Sequence, residues 1–323
     1  MRELRVVAPV PGPELYDALR AALDGGPPVG FAPGLVEDDV CLVVPTSGST
    51  GEPKRVALTA ACLRASGTAT AAVIGEGRWW LQLPVTHIAG LQVVIRSGFA
   101  PSDEADGCDF TSLVPTQLTR MLDDPRLPRL KAVLLGGAAA PPSLLAAARE
   151  RGITVVTTYG MSETSGGCVY DGSPLPGVSV DVTDRIVLSG PVVARGYVGG
   201  EDFDGRFVTS DLGRLVDGRL EVLGRADDLI NTGGEKVAPL PVERALAEHP
   251  SVREVAVVGV PDPEWGARVV AVVVLSGPLS LEEARDWVGS RLSRVAAPRE
   301  LRVVDALPLL PGGKVDRLRL TAT

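Results

Sequence analysis

Short runs of apolar, largely β-branched residues alternate with helical patterns through the first half of the chain. A buried strand reads as such a continuous apolar run, and helices between the runs cover both faces of the sheet. This alternation predicts an α/β fold whose mainly parallel sheets are flanked by helices. The predicted strands span residues 40–44, 79–83, 131–135 and 153–157, and the predicted helices span 116–122 and 141–151.

The pattern changes at 178–223, where short strands follow one another with tight turns. Asp217 and Gly218 lie between two apolar runs, and an Asp-Gly pair in that position favours a β-hairpin. We therefore expect a small antiparallel β element at this end of the α/β region.

A polar stretch at 225–239 favours a linker, and a small α+β module follows it. Because 323 residues suit two domains better than one, we place a boundary within the polar stretch. The module's predicted helices span 241–249 and 281–292, and its predicted strands span 255–260 and 269–275. The predicted division is a large N-terminal domain at 1–224, a connection at 225–228 and a small C-terminal domain at 229–323.

Composition narrows the class of function. A net charge of −8 argues against a nucleic-acid partner, since such proteins usually carry a basic surface. The four cysteines form no CxxC pair, which favours neither a zinc cluster nor a disulfide framework and fits a reducing compartment. The first residues mix charges and prolines with apolar positions, and no apolar run reaches about 18 residues. We expect a cytoplasmic protein without an integral membrane segment that acts on small molecules.

The stretch PTSGSTGEPK at 45–54 predicts an anion-binding loop. Its glycines allow backbone N–H groups close to an anion, its hydroxyls add donors, and Lys54 adds a cation. We expect a strand before it and a helix beginning near Thr59. A flexible surface loop is the alternative, whereas a Walker loop is excluded because Gly48 and Gly51 are too close together. The candidate phosphate-binding residues are Thr46, Ser47, Gly48, Ser49, Thr50, Gly51 and Lys54.

This loop resembles the phosphate loop of the adenylate-forming superfamily, which includes acyl- and aryl-CoA synthetases, luciferases and peptide-synthetase adenylation domains. One departure is Arg55, where the superfamily usually has glycine. Further stretches resemble the superfamily's motifs in the same order, and the resemblance covers residues 40–320. The early position of the loop implies a shortened N-terminal subdomain. The matching stretches are LLGGA at 134–138, YGMSET at 159–164, TSDLG at 209–213, GRADDLINTGGEKV at 224–237 and LLPGGKVDR at 309–317.

The resemblance implies a role for each matching residue. Tyr159 would stack on adenine, Gly160 would belong to the same nucleotide site, Ser162 would bond the α-phosphate, and Glu163 would hold Mg²⁺. The glycine turn that follows the third predicted strand would form one side of the adenine and acyl pockets. The connection at 225–228 would act as a hinge about which the small C-terminal domain rotates. The remaining implied roles are pocket wall for Gly136 and Gly137, ribose binding for Asp211 and Arg225, hinge for Asp227, CoA binding for Gly233 and Gly234, and catalysis for Lys314.

Two residues bear on which carboxylic acid the protein would activate. His87 lies in a stretch that resembles the superfamily's PLFH-type motif, so we expect a catalytic or substrate contact there, whereas His249 is expected at a solvated helix end. Arg96 is an isolated cation in an apolar helical pattern, where a charge needs a partner. A dicarboxylate would supply one, although a protein acid or solvent could also do so. With these residues the chain resembles the short o-succinylbenzoate–CoA ligases of menaquinone biosynthesis.

The resemblance implies a two-step reaction with ATP, Mg²⁺ and CoA. A carboxylate first forms an acyl-adenylate, and a thiol then takes the acyl group. The alternatives are another acyl- or aryl-CoA ligase, an enzyme that loads a carrier protein, or a nucleotide-binding homologue without catalysis. A homodimer is left open. Retention of five expected residues argues against the non-catalytic alternative, namely Lys54, Glu163, Asp211, Arg225 and Lys314.

Overall fold

A computed structural model describes residues 1–46, 54–309 and 315–321. The strands are β1 (Arg2–Glu3), β2 (Arg5–Val6), β3 (Val29–Gly30), β4 (Leu35–Val36), β5 (Val40–Pro45), β6 (Arg55–Thr59), β7 (Trp79–Trp80), β8 (Phe110–Leu113), β9 (Ala132–Leu135), β10 (Val155–Met161), β11 (Gly166–Tyr170), β12 (Ser173–Pro174), β13 (Ser179–Val182), β14 (Ile186–Ser189), β15 (Gly196–Tyr197), β16 (Arg206–Val208), β17 (Asp211–Val216), β18 (Arg219–Arg225), β19 (Ile230–Thr232), β20 (Glu235–Val237), β21 (Val252–Asp262), β22 (Gly266–Leu275) and β23 (Glu300–Val303). The helices are α1 (Pro13–Leu23), α2 (Ala60–Ile74), α3 (Ile88–Arg96), α4 (Pro115–Met121), α5 (Pro142–Glu150), α6 (Pro239–Ala247), α7 (Leu281–Arg291) and α8 (Arg317–Thr321).

The first sheet has the strand order β2-β3-β5-β6-β15. Strands β5 and β6 are antiparallel, and the Thr46 amide donates a hydrogen bond of 2.8 Å to the carbonyl of Lys54 where they are joined. The helix predicted near Thr59 is confirmed, and strand β6, which the sequence did not predict, lies between the loop and this helix. Helix α2 begins only after Thr59, whose side chain caps it by accepting a bond of 3.2 Å from the Cys62 amide.

The second sheet carries the predicted α/β alternation. Strands β7, β8, β9 and β10 are parallel in sequence order, and β11 and β12 continue the sheet antiparallel. Buried side chains alternate along β9: Leu134 faces the core shared with α2 and α3, whereas Val133 and Leu135 face that of α4 and α5. Both faces are thus covered, and the predicted fold class is confirmed. The predicted strand at 79–83 shortens to β7, and the one predicted at 153–157 begins later and continues to Met161.

A smaller antiparallel region follows, as expected. Strands β13, β14 and β16 form one sheet, and β17 pairs with β18 as a hairpin. Asp217 and Gly218 connect these two strands with φ values of 50° and 76°. Positive φ at both central residues is typical of a type I′ turn, so the predicted hairpin is confirmed.

The C-terminal region has its own sheet, with β20-β19-β22-β21 in order and β23 parallel to β22. Along β22 the side chains alternate between two cores: Ala271 and Val273 pack with α6 and α7, whereas Val270 and Val272 pack with Leu320 of α8. The linker predicted at 225–239 is wrong in part, because β19 and β20 lie within it and join this sheet. The position of the domain boundary stays a prediction.

Among the residues that the structure describes, none of the helices combines the length and apolar character that a membrane crossing requires.

Candidate functional site

Tyr159 and Asp211 meet although they are 52 positions apart. The Tyr159 hydroxyl donates a hydrogen bond of 2.7 Å to Asp211 Oδ2. Burial, and then the charge of Asp211, raise the pKa of Tyr159 well above its ordinary range, so the phenol remains a donor at neutral pH. The Asp211 amide donates in turn to the Thr209 hydroxyl at 3.0 Å, which fixes the start of β17.

The β17–β18 hairpin places Arg225 opposite Asp211. The Arg225 guanidinium donates a hydrogen bond of 2.8 Å to Asp227 Oδ2, and this bond holds the pKa of Asp227 below its usual value. The same bond and the nearby carboxylate of Asp211 raise the pKa of Arg225. The structure thus brings together Tyr159, Asp211 and Arg225, the residues expected at the nucleoside, with Asp227 beside them.

Glu163 lies on a short 3₁₀ turn, Ser162–Thr164, that directly follows β10. Its side chain is mostly buried, with 9% of the residue exposed, and Oε1 accepts a hydrogen bond of 2.8 Å from the Tyr197 hydroxyl. The Lys54 ammonium lies 4.8 Å from the centre of the Tyr197 ring. The described end of the phosphate loop and the candidate metal ligand therefore share Tyr197 as a neighbour.

The turn that carries Ser162 and Glu163 is held by its backbone. Ser165, at its end, has a φ of 55°, and its hydroxyl donates to the Val192 carbonyl at 2.8 Å. The Ala194 amide donates to the Glu163 carbonyl at 2.8 Å. Contacts on both sides thus fix the position of Glu163 relative to β10 and β15.

Gly136 and Gly160 lie where the backbone leaves no room for a side chain. A Cβ at Gly136 would overlap the Thr158 hydroxyl, and one at Gly160 would overlap the Gly166 carbonyl. Gly137 has a φ of 79°, which favours glycine. The predicted pocket wall is therefore packed closely against β10 next to Tyr159.

The structure does not bring His87 and Arg96 together. His87 caps the start of α3 and Arg96 is its last residue, so about 13 Å of helix separates their backbones. Arg96 lies over the Trp79 ring at 5.7 Å and donates to the Ser66 hydroxyl at 3.3 Å. Its Nε is buried without a hydrogen-bond partner among the described residues. Arg96 lines a cavity of about 570 Å³ together with Trp79.

The structure describes the surroundings of two further residues that the sequence singled out. Arg55 donates to the Pro33 carbonyl at 3.1 Å, so its side chain contacts the 33–34 segment. The expectation of a solvated His249 is wrong, because its ring packs on Trp287 at 4.7 Å. Ser47, Gly48, Ser49, Thr50, Gly51 and Lys314 lie outside the described residues.

Gly233 and Gly234 form the turn between β19 and β20, with φ values of 59° and 84°. The Gly233 amide donates to the Trp265 carbonyl at 2.9 Å, and the Trp265 ring is covered by the Arg299 guanidinium at 3.7 Å. Sequence reasoning missed both Trp265 and Tyr197. A tyrosine or tryptophan in an apolar stretch is most often a core residue, and no motif marked either of them.

The described residues contain no group of three or more acidic, histidine or cysteine side chains arranged for a metal ion. Glu163 alone nevertheless fits Mg²⁺, which is usually bound by one or two carboxylates together with substrate phosphates and water. The cluster expected at a nucleoside, a carboxylate that suits Mg²⁺ and a cavity lined by an arginine together fit an enzyme that activates acids with a nucleotide.

Comparison with known proteins agrees with an enzyme that activates acids with a nucleotide. Residues 13–198 match the AMP-binding enzyme family, and residues 241–314 match the AMP-binding enzyme C-terminal domain. The chain therefore belongs to the AMP-binding enzyme family, the adenylate-forming enzymes, as its motifs predicted.

Individual relatives are similar over most of the chain. A probable 2-succinylbenzoate–CoA ligase of Mycobacterium tuberculosis is 47% identical, over 88% of this chain and 85% of the relative. The 2-succinylbenzoate–CoA ligase of Escherichia coli is 36% identical, over 87% of this chain and 68% of the relative. The structure of o-succinylbenzoate CoA synthetase from Bacillus subtilis with its acyl-adenylate intermediate superposes with a TM-score of 0.75 and 30% identity, over 88% of this chain and 70% of that one.

Proposed function

We propose that this protein is an ATP- and Mg²⁺-dependent ligase that converts 2-succinylbenzoate (o-succinylbenzoate) into its CoA thioester in menaquinone biosynthesis. Family membership supports the adenylate-forming reaction, and the relatives' activity supports the acid. The single structural observation that carries the choice of a dicarboxylate is Arg96, whose Nε is buried and unpartnered within the described residues.

A carboxylate oxygen of the acid attacks the α-phosphorus of ATP, and pyrophosphate leaves. Tyr159, Asp211 and Arg225 bind the nucleoside, and Ser162 contacts the α-phosphate. Glu163 holds Mg²⁺, which neutralises charge on the triphosphate when bound. Lys54 supplies a cation on the phosphate side, and Lys314 is proposed as the catalytic lysine of this step. The CoA thiol then attacks the acyl carbonyl and AMP leaves.

The proposed acid has two carboxylates, and Arg96 offers a cation to the one that does not react. One carboxylate reacts on the side of His87 and the glycine wall of Gly136 and Gly137, and the other binds toward Arg96. Arg96 contacts the Ser66 hydroxyl and the Trp79 ring, but its Nε is buried without a hydrogen-bond partner among the described residues, and a buried polar group without a partner is costly. A second carboxylate on the substrate would remove that cost, whereas a monocarboxylate would not.

The C-terminal region is proposed to move between the two steps. Residues 225–228 form the hinge, centred on Asp227, and the Gly233–Gly234 turn binds the pantetheine arm of CoA. The bond from Arg225 to Asp227 fixes the hinge side chain in the described arrangement. We further propose that the protein acts in the cytoplasm and forms a homodimer.

The direct test incubates the purified protein with ATP, Mg²⁺, CoA and 2-succinylbenzoate and follows the products by mass spectrometry. We expect stoichiometric 2-succinylbenzoyl-CoA and AMP. Formation of AMP and pyrophosphate without the CoA thioester, when a carrier-protein thiol restores transfer, would favour a carrier-loading enzyme. ATP binding without any product from 2-succinylbenzoate or other acids would favour a non-catalytic homologue.

A further inference from the structure

The carboxylate of Glu163 contacts Tyr197, a residue to which the proposed reaction assigns no role. Tyr197 comes from β15, 34 positions further along the chain, and donates a hydrogen bond of 2.8 Å to Glu163 Oε1. None of the ion pairs between described residues includes Glu163, although this carboxylate is mostly buried. Within the described part of the chain, the Tyr197 hydroxyl is therefore the polar group that orients it.

Tyr197 is itself held on three sides. Its backbone pairs with Val56 of β6, the strand that begins where the phosphate loop ends. Its ring meets Phe203 edge-on, with the ring centres 5.1 Å apart. The Lys54 ammonium lies 4.8 Å from the ring centre, a distance at which a cation is attracted to the aromatic face. A side chain fixed in this way presents its hydroxyl at a defined point.

The chemistry of this contact suits a metal ligand. A carboxylate has two oxygens, and a hydrogen bond to Oε1 fixes the orientation of the group while leaving Oε2 for a cation. Groups that hydrogen-bond to a metal ligand commonly set its orientation, and their loss costs about 10- to 100-fold in metal affinity or activity.

We propose that Tyr197 is a positioning residue of the adenylation site: its hydroxyl orients the Glu163 carboxylate for Mg²⁺, and its ring holds the Lys54 ammonium on the phosphate side. One residue thus sets the relative positions of the site's metal ligand and its cation. The inference rests on the proposed adenylation reaction but not on the identity of the acid.

The test measures metal binding without turnover. Mn²⁺ is titrated into protein saturated with a non-hydrolysable ATP analogue, and free Mn²⁺ is followed by electron paramagnetic resonance. Tyr197→Phe keeps the ring and removes the hydroxyl, and we expect about tenfold weaker Mn²⁺ binding. The matched control is Tyr170→Phe, which removes another buried phenol whose hydroxyl contacts Thr70 at 3.0 Å. This control should bind Mn²⁺ like the unmodified protein.

A double-mutant cycle separates orientation of Glu163 from general loosening of the fold. In a Glu163→Gln background, Tyr197→Phe should change Mn²⁺ binding little further, because the oriented carboxylate is already absent. Tyr197→Leu, which also removes the ring, should in addition weaken binding of the metal-free ATP analogue. Unchanged Mn²⁺ affinity in Tyr197→Phe, an equal loss in Tyr170→Phe, or an equal loss with and without Glu163 would each overturn the proposal. Because no acid is present, none of these outcomes depends on the substrate.

Discussion

Two hydrogen bonds from a phenol to a carboxylate determine much of the candidate site at the scale of single residues. Tyr159 donates to Asp211 at 2.7 Å and Tyr197 donates to Glu163 at 2.8 Å. In both pairs burial raises the pKa of the tyrosine, so the phenol remains the donor and the acid the acceptor. Each pair fixes the orientation of a carboxylate for which we propose a ligand, a ribose for Asp211 and Mg²⁺ for Glu163.

Replacing Tyr159 with Phe should weaken ATP binding with little change in fold. A hydrogen bond to a charged group contributes about 1.5–3 kcal/mol, so the KM for ATP should rise about tenfold or more. The measurement is pyrophosphate exchange at varied ATP, with thermal unfolding as the check on folding. A KM for ATP that stays within a factor of two would show that the Asp211 carboxylate does not depend on this bond.

Replacing Arg96 with Gln tests the cavity at the end of α3. Loss of the guanidinium should raise the KM for 2-succinylbenzoate at least about tenfold and leave the KM for ATP unchanged, since a bond between charged groups is lost. The matched control is Arg64→Gln, because Arg64 lines the same cavity but already pairs with Asp24 at 2.7 Å. Equal effects of the two substitutions on the acid would contradict a specific role for Arg96.

The resemblance to the superfamily's motifs predicted Tyr159, Asp211 and Arg225 as candidate site residues, and the structure places them together. Tyr197 could not be predicted in the same way. Its contact with Glu163 is created by the pairing of β15 with β6, and no local pattern encodes a contact between such distant segments. The hydrogen bond from Arg55 to the Pro33 carbonyl could not be predicted either, because it also joins residues that are far apart in the sequence.

At the scale of elements, the turn between β19 and β20 depends on two consecutive glycines. The turn between β19 and β20 needs two residues with positive φ, and Gly233 and Gly234 supply them at 59° and 84°. Only Gly233 is also crowded, since a Cβ there would lie 2.7 Å from the Trp265 ring. The Arg299 guanidinium packs on that ring at 3.7 Å and limits its movement.

Replacing each of these two glycines with alanine should distinguish the cost of a positive φ from the cost of a steric contact. Gly234→Ala places a side chain at a positive φ without a steric contact, and this should lower the free energy of unfolding by about 1 kcal/mol. Gly233→Ala adds contact with Trp265 and should cost at least about 1 kcal/mol more. Urea unfolding followed by tryptophan fluorescence measures both, and equal costs would show that Trp265 yields without strain.

Asp109 joins three strands of the second sheet and makes their stability depend on pH. It accepts a hydrogen bond of 2.8 Å from the Arg78 amide and pairs with Lys131 at 3.0 Å. The Arg78 bond, and then Lys131, hold the pKa of Asp109 below its usual value. The stabilisation is therefore present above the usual aspartate pKa of about 3.9 and is lost as the pH falls through the lower folded value.

We expect the difference in unfolding free energy between the unmodified protein and Asp109→Asn to be largest near pH 6 and to shrink toward pH 3. Urea unfolding at a series of pH values measures it. Asp123→Asn is the control, because Asp123 pairs with Arg151 on the surface with 87% of its side chain exposed. A difference for Asp109→Asn that stays constant across this range would refute the assignment.

The sequence predicted elements well where a long pattern repeats and poorly where a strand is short. Helix α5 and the Asp217-Gly218 hairpin were predicted from helical spacing and turn chemistry. Strand β6 was missed because its five residues run directly into the helical pattern of α2. Strands β19 and β20 were missed because their polar residues become strands only through pairing with β22.

At the scale of the whole molecule, the large α/β region and the smaller C-terminal sheet each have a hydrophobic core. They meet where α6 approaches β18, and a Cβ at Gly224 would lie 3.6 Å from Leu240. Arg225 and Asp227 stand at this junction, so the residues proposed for ribose binding and for the hinge are neighbours in space. Binding of the nucleotide and movement of the C-terminal region would therefore act on the same few residues.

The central claim is that this whole assembly adenylates a dicarboxylic aromatic acid. ATP–pyrophosphate exchange measured across a panel of 2-succinylbenzoate, benzoate, 4-phenylbutyrate and a medium-chain fatty acid tests it most directly. We predict exchange with 2-succinylbenzoate that exceeds exchange with every monocarboxylate at least about tenfold, the loss expected when a charged partner of Arg96 is absent. Absence of exchange with 2-succinylbenzoate, or equal exchange with 4-phenylbutyrate, would contradict the account.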